Sequence, residues 1–90
     1  MSAALALPAR VTHAEATALT ARLVAQLRQA SGPSVLDASA LDQFDTSALA
    51  VVLACHRAAR AQGHTLTVQG LPARAQALAQ VYGVSELLLA

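Results

Sequence analysis

The sequence contains no lysine and no tryptophan, and its only aromatic residues besides histidine are Phe44 and Tyr82. Its six basic residues are all arginines, and they are spread along the chain and give a formal net charge of +1. Nucleic-acid-binding domains usually combine clustered positive charge with aromatic side chains on which bases stack. Because both features are missing, we expect no nucleic-acid partner.

Cysteine is almost absent, since Cys55 is the only one in the chain. A single cysteine excludes an internal disulfide and any metal site that needs several thiolates. Cys55 lies among apolar residues in the middle of a predicted helix, where a buried and unreactive thiol is expected. The three histidines share no metal-ligand spacing, so we expect neither a metal nor another cofactor.

Long apolar runs are also missing, and none of the apolar segments is long enough to cross a membrane. The N-terminus lacks the charged segment and the long apolar core of a signal peptide. We therefore expect a single cytoplasmic domain over residues 1–90, without direct insertion into a membrane. Its core should consist of leucine and valine around alanine-lined helices.

Short apolar strands alternate with helices along the chain, which is typical of an α/β fold. Three strands are predicted, at residues 5–7, 34–37 and 64–69. Pro8 should end the first strand because it has no N–H for a central ladder. We expect a small mixed sheet of about three to four strands covered by helices. A short apolar tail after Gly83 should form a final turn or a short edge strand.

Three helices are predicted from turn chemistry and apolar periodicity. The capping box Thr12-x-x-Glu15 should start the first helix, and Gly32 should end it in a left-handed conformation. The second should run over about residues 46–62 and close at Gly63. The third should end at Gly83, and its buried stripe consists of Ala75, Leu78, Ala79 and Tyr82.

The most informative segment lies between the second strand and the second helix, where Leu36-Asp37-Ala38-Ser39 is followed by Phe44-Asp45-Thr46-Ser47-Ala48-Leu49. Asp45 should cap the second helix by accepting a hydrogen bond from a first-turn N–H. Thr46 and Ser47 place hydroxyls beside the positive end of the helix dipole. Helix capping alone would explain either hydroxyl by itself. Asp37 should cap the turn that follows its own strand.

A helical wheel divides the second helix into two faces. The uncharged face that should pack on the sheet consists of Ala48, Val51, Val52, Cys55, Ala58 and Ala59. The opposite face consists of Thr46, Leu49, Ala50, Leu53, Arg57 and Arg60. Two leucines among arginines and hydroxyls predict an exposed apolar patch of the kind found in contact sites, unless neighbouring loops cover both leucines.

Catalysis is not expected. A triad built on Ser47 would need a nearby histidine, but His56 lies more than two turns further along the same helix. No glycine-rich elbow surrounds Ser47, and the chain has no glycine-rich loop for phosphate. We therefore assign no catalytic residue.

The Leu-Asp-x-Ser segment and the Asp45-Thr46-Ser47-Ala48-Leu49 segment resemble the signature of STAS domains, the sulphate-transporter and anti-anti-sigma-factor family. The family pattern continues in Gly70-Leu71 and in Val81-Tyr82-Gly83-Val84-Ser85. The resemblance covers residues 34–90 well and residues 3–30 by element order, and it implies a small STAS-like α/β domain. Ala48 stands where the family often has glycine, and the first strand of the usual N-terminal hairpin is expected to be missing.

Within that family, the chain resembles the small STAS subunit of the Mla phospholipid-transport complex, which carries Asp-Thr at the position of Asp45-Thr46. The resemblance implies a non-catalytic subunit that binds the MlaF-like ATPase of an ABC transporter containing an inner-membrane permease. Such a subunit lies peripheral to the inner membrane and serves outer-membrane lipid asymmetry. It also implies that Thr46 lies at the ATPase contact. The expected partner-binding residues are Asp45, Thr46, Ser47, Leu49, Ala50, Leu53 and Arg57.

The alternative within the same family is an anti-sigma factor antagonist, whose partner is an anti-sigma factor kinase. In that case the hydroxyl of Ser47, or else that of Thr46, would be phosphorylated to switch binding. A phosphate suits a helix N-terminus electrostatically, but it would disrupt an apolar contact around Leu49. The transporter role is favoured because Thr46 fits the transport-type motif better.

Overall fold

In the computed structural model, which describes residues 4–81 and 83, strands and helices alternate along the chain. The elements are β1 (Ala4–Ala6), β2 (Arg10–Val11), α1 (His13–Gln29), β3 (Ser34–Asp37), β4 (Gln43–Phe44), α2 (Thr46–Ala61), β5 (Leu66–Gln69) and α3 (Ala73–Val81). The predicted α/β class is confirmed. The predicted apolar tail at residues 84–89 and the assignment of Tyr82 to the third helix lie outside the described residues.

The main sheet contains three strands in the order β1-β3-β5. Leu36 of β3 lies between Leu5 of β1 and Val68 of β5, and both pairings are parallel. They are parallel because each connection between these strands returns through a helix, α1 or α2. The number of strands agrees with the prediction. An antiparallel strand, which would make the sheet mixed, does not occur among the described residues.

A second, two-stranded sheet was not predicted. β2 and β4 pair in parallel, with Arg10 opposite Gln43 and Val11 opposite Phe44. A two-residue strand is too short to show alternating apolar and polar residues, so the sequence pattern gave no signal for either strand. Because β2 leads into α1 and β4 leads into α2, this pairing brings the starts of the two helices side by side.

The core is formed by apolar side chains of the main sheet and the helices, and α1 and α2 pack extensively against each other. Its largest fully buried side chains include Leu7, Val11, Leu23, Leu27, Leu36, Val51 and Val52. The buried alanines are Ala38, Ala48, Ala59, Ala75 and Ala79. This composition confirms the prediction of a leucine and valine core with alanine-lined helices.

The end of α2 follows the prediction that it closes at Gly63. Gly63 has a φ of +75°, and its N–H donates to the carbonyl of Arg60 over 2.9 Å. The N–H of His64 reaches back to the carbonyl of Ala59 over 3.0 Å, which completes a Schellman motif. Because His64 belongs to this cap, β5 begins at Leu66 and not at residue 64.

The ends of α1 differ from the prediction. The positive φ values among the described glycines belong to Gly63, Gly70 and Gly83, so Gly32 does not form a left-handed cap. The helix instead ends at Gln29, where Ala30 turns into an extended conformation and donates its N–H to the carbonyl of Leu27. Because the extended Ala30 already ends the helix, Gly32 is not needed as a left-handed cap.

Candidate partner-binding face

One face of α2 presents the residues that the sequence pattern places at a partner contact. Thr46, Ala50, Leu53 and Arg57 follow one another at intervals of four, three and four residues, so they line one side of the helix. Thr46, Ala50 and Arg57 are exposed, and Leu53 is half-buried. We call these four residues the α2 stripe.

Asp45 holds the start of α2 in place. Its Oδ1 accepts the N–H of Ser47 over 2.8 Å, which confirms the predicted cap. Its Oδ2 accepts the N–H of His13, in the first turn of α1, over 3.1 Å. One carboxylate therefore satisfies a free N–H at the start of each helix, and it fixes the position of Thr46 relative to α1.

These hydrogen bonds also set the protonation state of Asp45. The backbone N–H of Ser47 and then that of His13 hold the pKa of this carboxyl below its usual value. The negative charge lies at the positive ends of two helix dipoles, which favours the ionised form further. Asp45 thus acts as an ionised structural group that positions the α2 stripe.

The capping box predicted for α1 forms differently. The hydroxyl of Thr12 donates to Oε2 of Glu15 over 2.8 Å and caps no backbone N–H. Arg10 also pairs with Glu15, with 2.8 Å between Nε and Oε1. The Thr12 hydroxyl therefore binds the Glu15 carboxylate, and the N–H of His13 separately donates to the carboxylate of Asp45.

The two hydroxyls at the start of α2 differ in accessibility. Thr46 is exposed, whereas Ser47 is half-buried. The hydroxyl of Ser47 also interacts with the carboxylate of Asp45 and contributes to its lowered pKa. Of the two, Thr46 is the hydroxyl that a docked protein surface reaches more directly.

The expectation that Leu49 is exposed is wrong. Only 5% of its surface is accessible, and it belongs to the hydrophobic core. A wheel drawn for one helix does not include the elements that pack on it, and α1 packs extensively against α2. Of the two leucines in the predicted patch, only Leu53 retains substantial accessible surface.

Other predicted details near this face agree with the structure. Oδ1 of Asp37 accepts the N–H of Ser39 over 2.9 Å, as predicted for a carboxylate that caps the turn after its strand. Burial raises the pKa of the Cys55 thiol to about 11, so the thiol stays protonated and unreactive, as expected.

Arg74 of α3 contacts the segment that precedes α2. The guanidinium of Arg74 lies 4.8 Å from the centre of the Phe44 ring. Its Nη2 donates to the backbone carbonyl of Asp42 over 2.6 Å. Arg74 therefore supports the segment that ends in the Asp45 cap, a contact that sequence spacing gave no means of anticipating.

A groove lies where the second half of α2 faces the start of β5. Its volume is about 480 Å³, and its lining includes Leu53, His56, Arg57, Arg60, His64 and Leu66. We call it the cationic groove. It shares Leu53 and Arg57 with the α2 stripe, so the two surfaces are continuous. Sequence reasoning missed it because the segment from His64 to Leu66, which follows α2, completes it.

Comparison with known proteins gives a match to one protein family. The family model described as an MlaB STAS domain matches residues 1–90, which includes the first third of the chain where the motifs were weak. A comparison with curated proteins found no significant match. Among the described residues, no helix has both the length and the apolar character needed to span a membrane.

Proposed function

The chain belongs to the STAS domain family, of the MlaB type, and on that premise we propose that it is a non-catalytic subunit that binds the ATPase of an ABC transporter for phospholipids. The docking surface is the α2 stripe. The observation that carries the proposal is an exposed Thr46 at the head of this stripe in a chain that matches the MlaB model throughout. Through the ATPase and its permease, the subunit sits on the cytoplasmic side of the inner membrane.

The composition of the α2 stripe suits a protein contact. Ala50 lets a partner backbone approach closely, Leu53 supplies apolar surface, and Thr46 and Arg57 supply polar groups at either end. An apolar centre with a polar rim is the usual anatomy of an interface. Because Asp45 already fixes the start of the helix, docking costs little ordering of the backbone.

Binding at the α2 stripe acts on the ATPase by changing the relative populations of its conformations or assembly states. A subunit without chemistry of its own changes the ATPase only by binding one of its conformations or assembly states more tightly than another. Tighter binding to the folded or dimeric ATPase stabilises it, and tighter binding to a turnover state raises the rate of ATP hydrolysis. Either effect is regulation through the α2 stripe.

The test is a pull-down of the tagged protein from its native cells, analysed by mass spectrometry, with Thr46→Arg and Thr17→Arg variants. Thr17 is an exposed threonine of α1, so Thr17→Arg makes the same chemical change outside the α2 stripe. An arginine buried without a partner costs about 3–5 kcal/mol, a loss of more than about 100-fold in affinity. We expect the ATPase and permease with the wild type and Thr17→Arg, and their loss with Thr46→Arg.

Two results would contradict the proposal. If Thr46→Arg captures as much ATPase as Thr17→Arg does, the α2 stripe is not the contact. If a serine kinase is captured instead, the protein is an anti-sigma factor antagonist, and Ser47→Ala should then abolish its phosphorylation. The geometry favours the transporter, because a phosphate on Ser47 would lie beside the ionised carboxylate of Asp45.

A further inference from the structure

The cationic groove concentrates positive charge on an otherwise nearly neutral chain. Arg57 and Arg60 lie three residues apart on α2, on neighbouring positions of the helix surface. His56 and His64 also line the groove, but the formal charge counts histidine as neutral, so the positive charge is that of the two arginines. Like charges at this spacing repel each other in the isolated chain, and an anionic partner would relieve that repulsion.

The chain does not neutralise this charge with the carboxylates that the structure describes. Those carboxylates are Glu15, Asp37, Asp42 and Asp45. None of them lines the groove, and neither Arg57 nor Arg60 forms an ion pair with any of them. Glu15 is paired with Arg10, and Asp45 is committed to two backbone N–H groups. Toward the carboxylates of residues 4–81, the two arginines therefore keep their donors available.

Apolar side chains complete the groove. Leu53 and Leu66 both belong to its lining, and Leu53, which is half-buried, supplies the accessible apolar surface. A site for a small inorganic anion has no use for such surface, whereas a peptide segment that carries both carboxylates and an aliphatic side chain would use all of it. The guanidinium groups would bind the carboxylates with paired hydrogen bonds.

We infer that the cationic groove receives an acidic, leucine-containing segment of the ATPase that docks on the α2 stripe. The inference rests on the proposed function and deepens it, because it states the chemistry of a second contact on the same partner. Continuity supports it, since Leu53 and Arg57 belong to both surfaces. Carboxylates of the segment pair with Arg57 and Arg60, and its aliphatic side chain packs on Leu53, which keeps accessible surface.

The first test uses the full ¹⁵N-labelled chain and two short synthetic peptides in an NMR titration. One peptide contains glutamate and leucine, and the matched peptide has glutamine in place of each glutamate. The glutamate peptide should shift the amide signals of the groove residues and bind about tenfold more tightly than the glutamine peptide. Equal binding by the two peptides, or shifts confined to other surfaces, would overturn the inference.

The matched variants are Arg60→Glu and Arg28→Glu. Each arginine lies in the last turn of its helix, α2 or α1, so both variants lose the same favourable interaction with a helix dipole. Arg60→Glu should weaken binding of the glutamate peptide about tenfold, and Arg28→Glu should leave it unchanged. If inorganic phosphate at similar concentration produces the same shifts and displaces the peptide, the groove is a small-anion site and the inference is wrong.

The pull-down separates this inference from the proposed function. Thr46→Arg tests the α2 stripe alone, and Arg60→Glu tests the groove alone because Arg60 is not part of the stripe. We expect Arg60→Glu to reduce capture of the ATPase, with Arg28→Glu as the control. If Thr46→Arg releases the ATPase while Arg60→Glu retains it fully, the proposed function stands and the groove inference fails. If the wild type captures no ATPase, both fail.

Discussion

Replacing Gly70 with alanine should destabilise the fold where the carboxyl ends of β3 and β5 meet. Gly70 has a φ of +71°, and a Cβ added there would lie 2.8 Å from Cβ and 3.1 Å from Cα of Ser39. Ser39 cannot easily retreat, because its N–H donates to Asp37 over 2.9 Å. The neighbouring Ala38 N–H is held by the carbonyl of Gln69 over 2.8 Å. The new methyl group therefore meets backbone that is anchored on both strands.

The magnitude follows from two separate costs. A left-handed conformation costs alanine about 1 kcal/mol relative to glycine. A contact that forces the backbone to shift costs about 1–3 kcal/mol more. Gly63 provides the control, since it has a φ of +75° and no atom within 4 Å of an added Cβ, so Gly63→Ala incurs only the first cost. Gly63→Ala should lower Tm by about 4–8 °C, and Gly70→Ala by roughly twice that or more.

Thermal unfolding followed by circular dichroism measures the Tm of both variants and the wild type, and urea unfolding gives the corresponding free energies of unfolding. The difference between Gly70→Ala and Gly63→Ala isolates the contact with Ser39. Adding Ser39→Gly to Gly70→Ala should recover part of the loss, because the closest contact is with the Cβ of Ser39. If Gly70→Ala costs no more than Gly63→Ala, the close approach of the two strand ends is wrong.

Two further predictions concern the start of α2. Because the pKa of Asp45 is lowered in the folded state, its stabilisation is fully present above its unfolded pKa of about 3.8 and is lost as the pH falls through the folded value. Urea unfolding across that range should therefore show a steeper acid loss for the wild type than for Asp45→Asn, and parallel curves would contradict the double cap. Leu49→Ala should cost about 2–5 kcal/mol because Leu49 is in the core, and a loss no larger than that of Ala50→Gly would contradict its burial.

The elements with local signals could be predicted from the sequence. The start of α2 follows from the capping chemistry of Asp45, and its end follows from the glycine at position 63. Both signals act within a few residues, and the structure has the hydrogen bonds that each of them predicts. The α2 stripe follows from the same kind of reasoning, because helical spacing alone puts Thr46 and Leu53 on one face.

Features that depend on residues distant in the sequence could not be predicted. The bond from the His13 N–H to Asp45 spans 32 positions, and the pairing of β2 with β4 spans a similar distance. The burial of Leu49 depends on the core residues that pack against α2, which the spacing within one helix does not specify. Thr12 shows a different limit, because its hydroxyl can cap the Glu15 N–H or donate to the Glu15 carboxylate, and the structure has the second arrangement.

The size of the α2 stripe constrains the interface it takes part in. From Thr46 to Arg57 the stripe is about 16 Å long at 1.5 Å per residue, and one helix face is about 10 Å wide. A surface of that size offers on the order of a few hundred Å², whereas stable and specific interfaces bury about 800 Å² on each partner. A partner held by α2 must therefore contact a neighbouring surface as well. The cationic groove adjoins the stripe through Leu53 and Arg57 and carries charge that the described carboxylates leave unpaired. An ATPase that binds the α2 stripe would thus also contact the groove that contains Arg60. The variants Thr46→Arg and Arg60→Glu are therefore most informative when their binding to the same partner is compared.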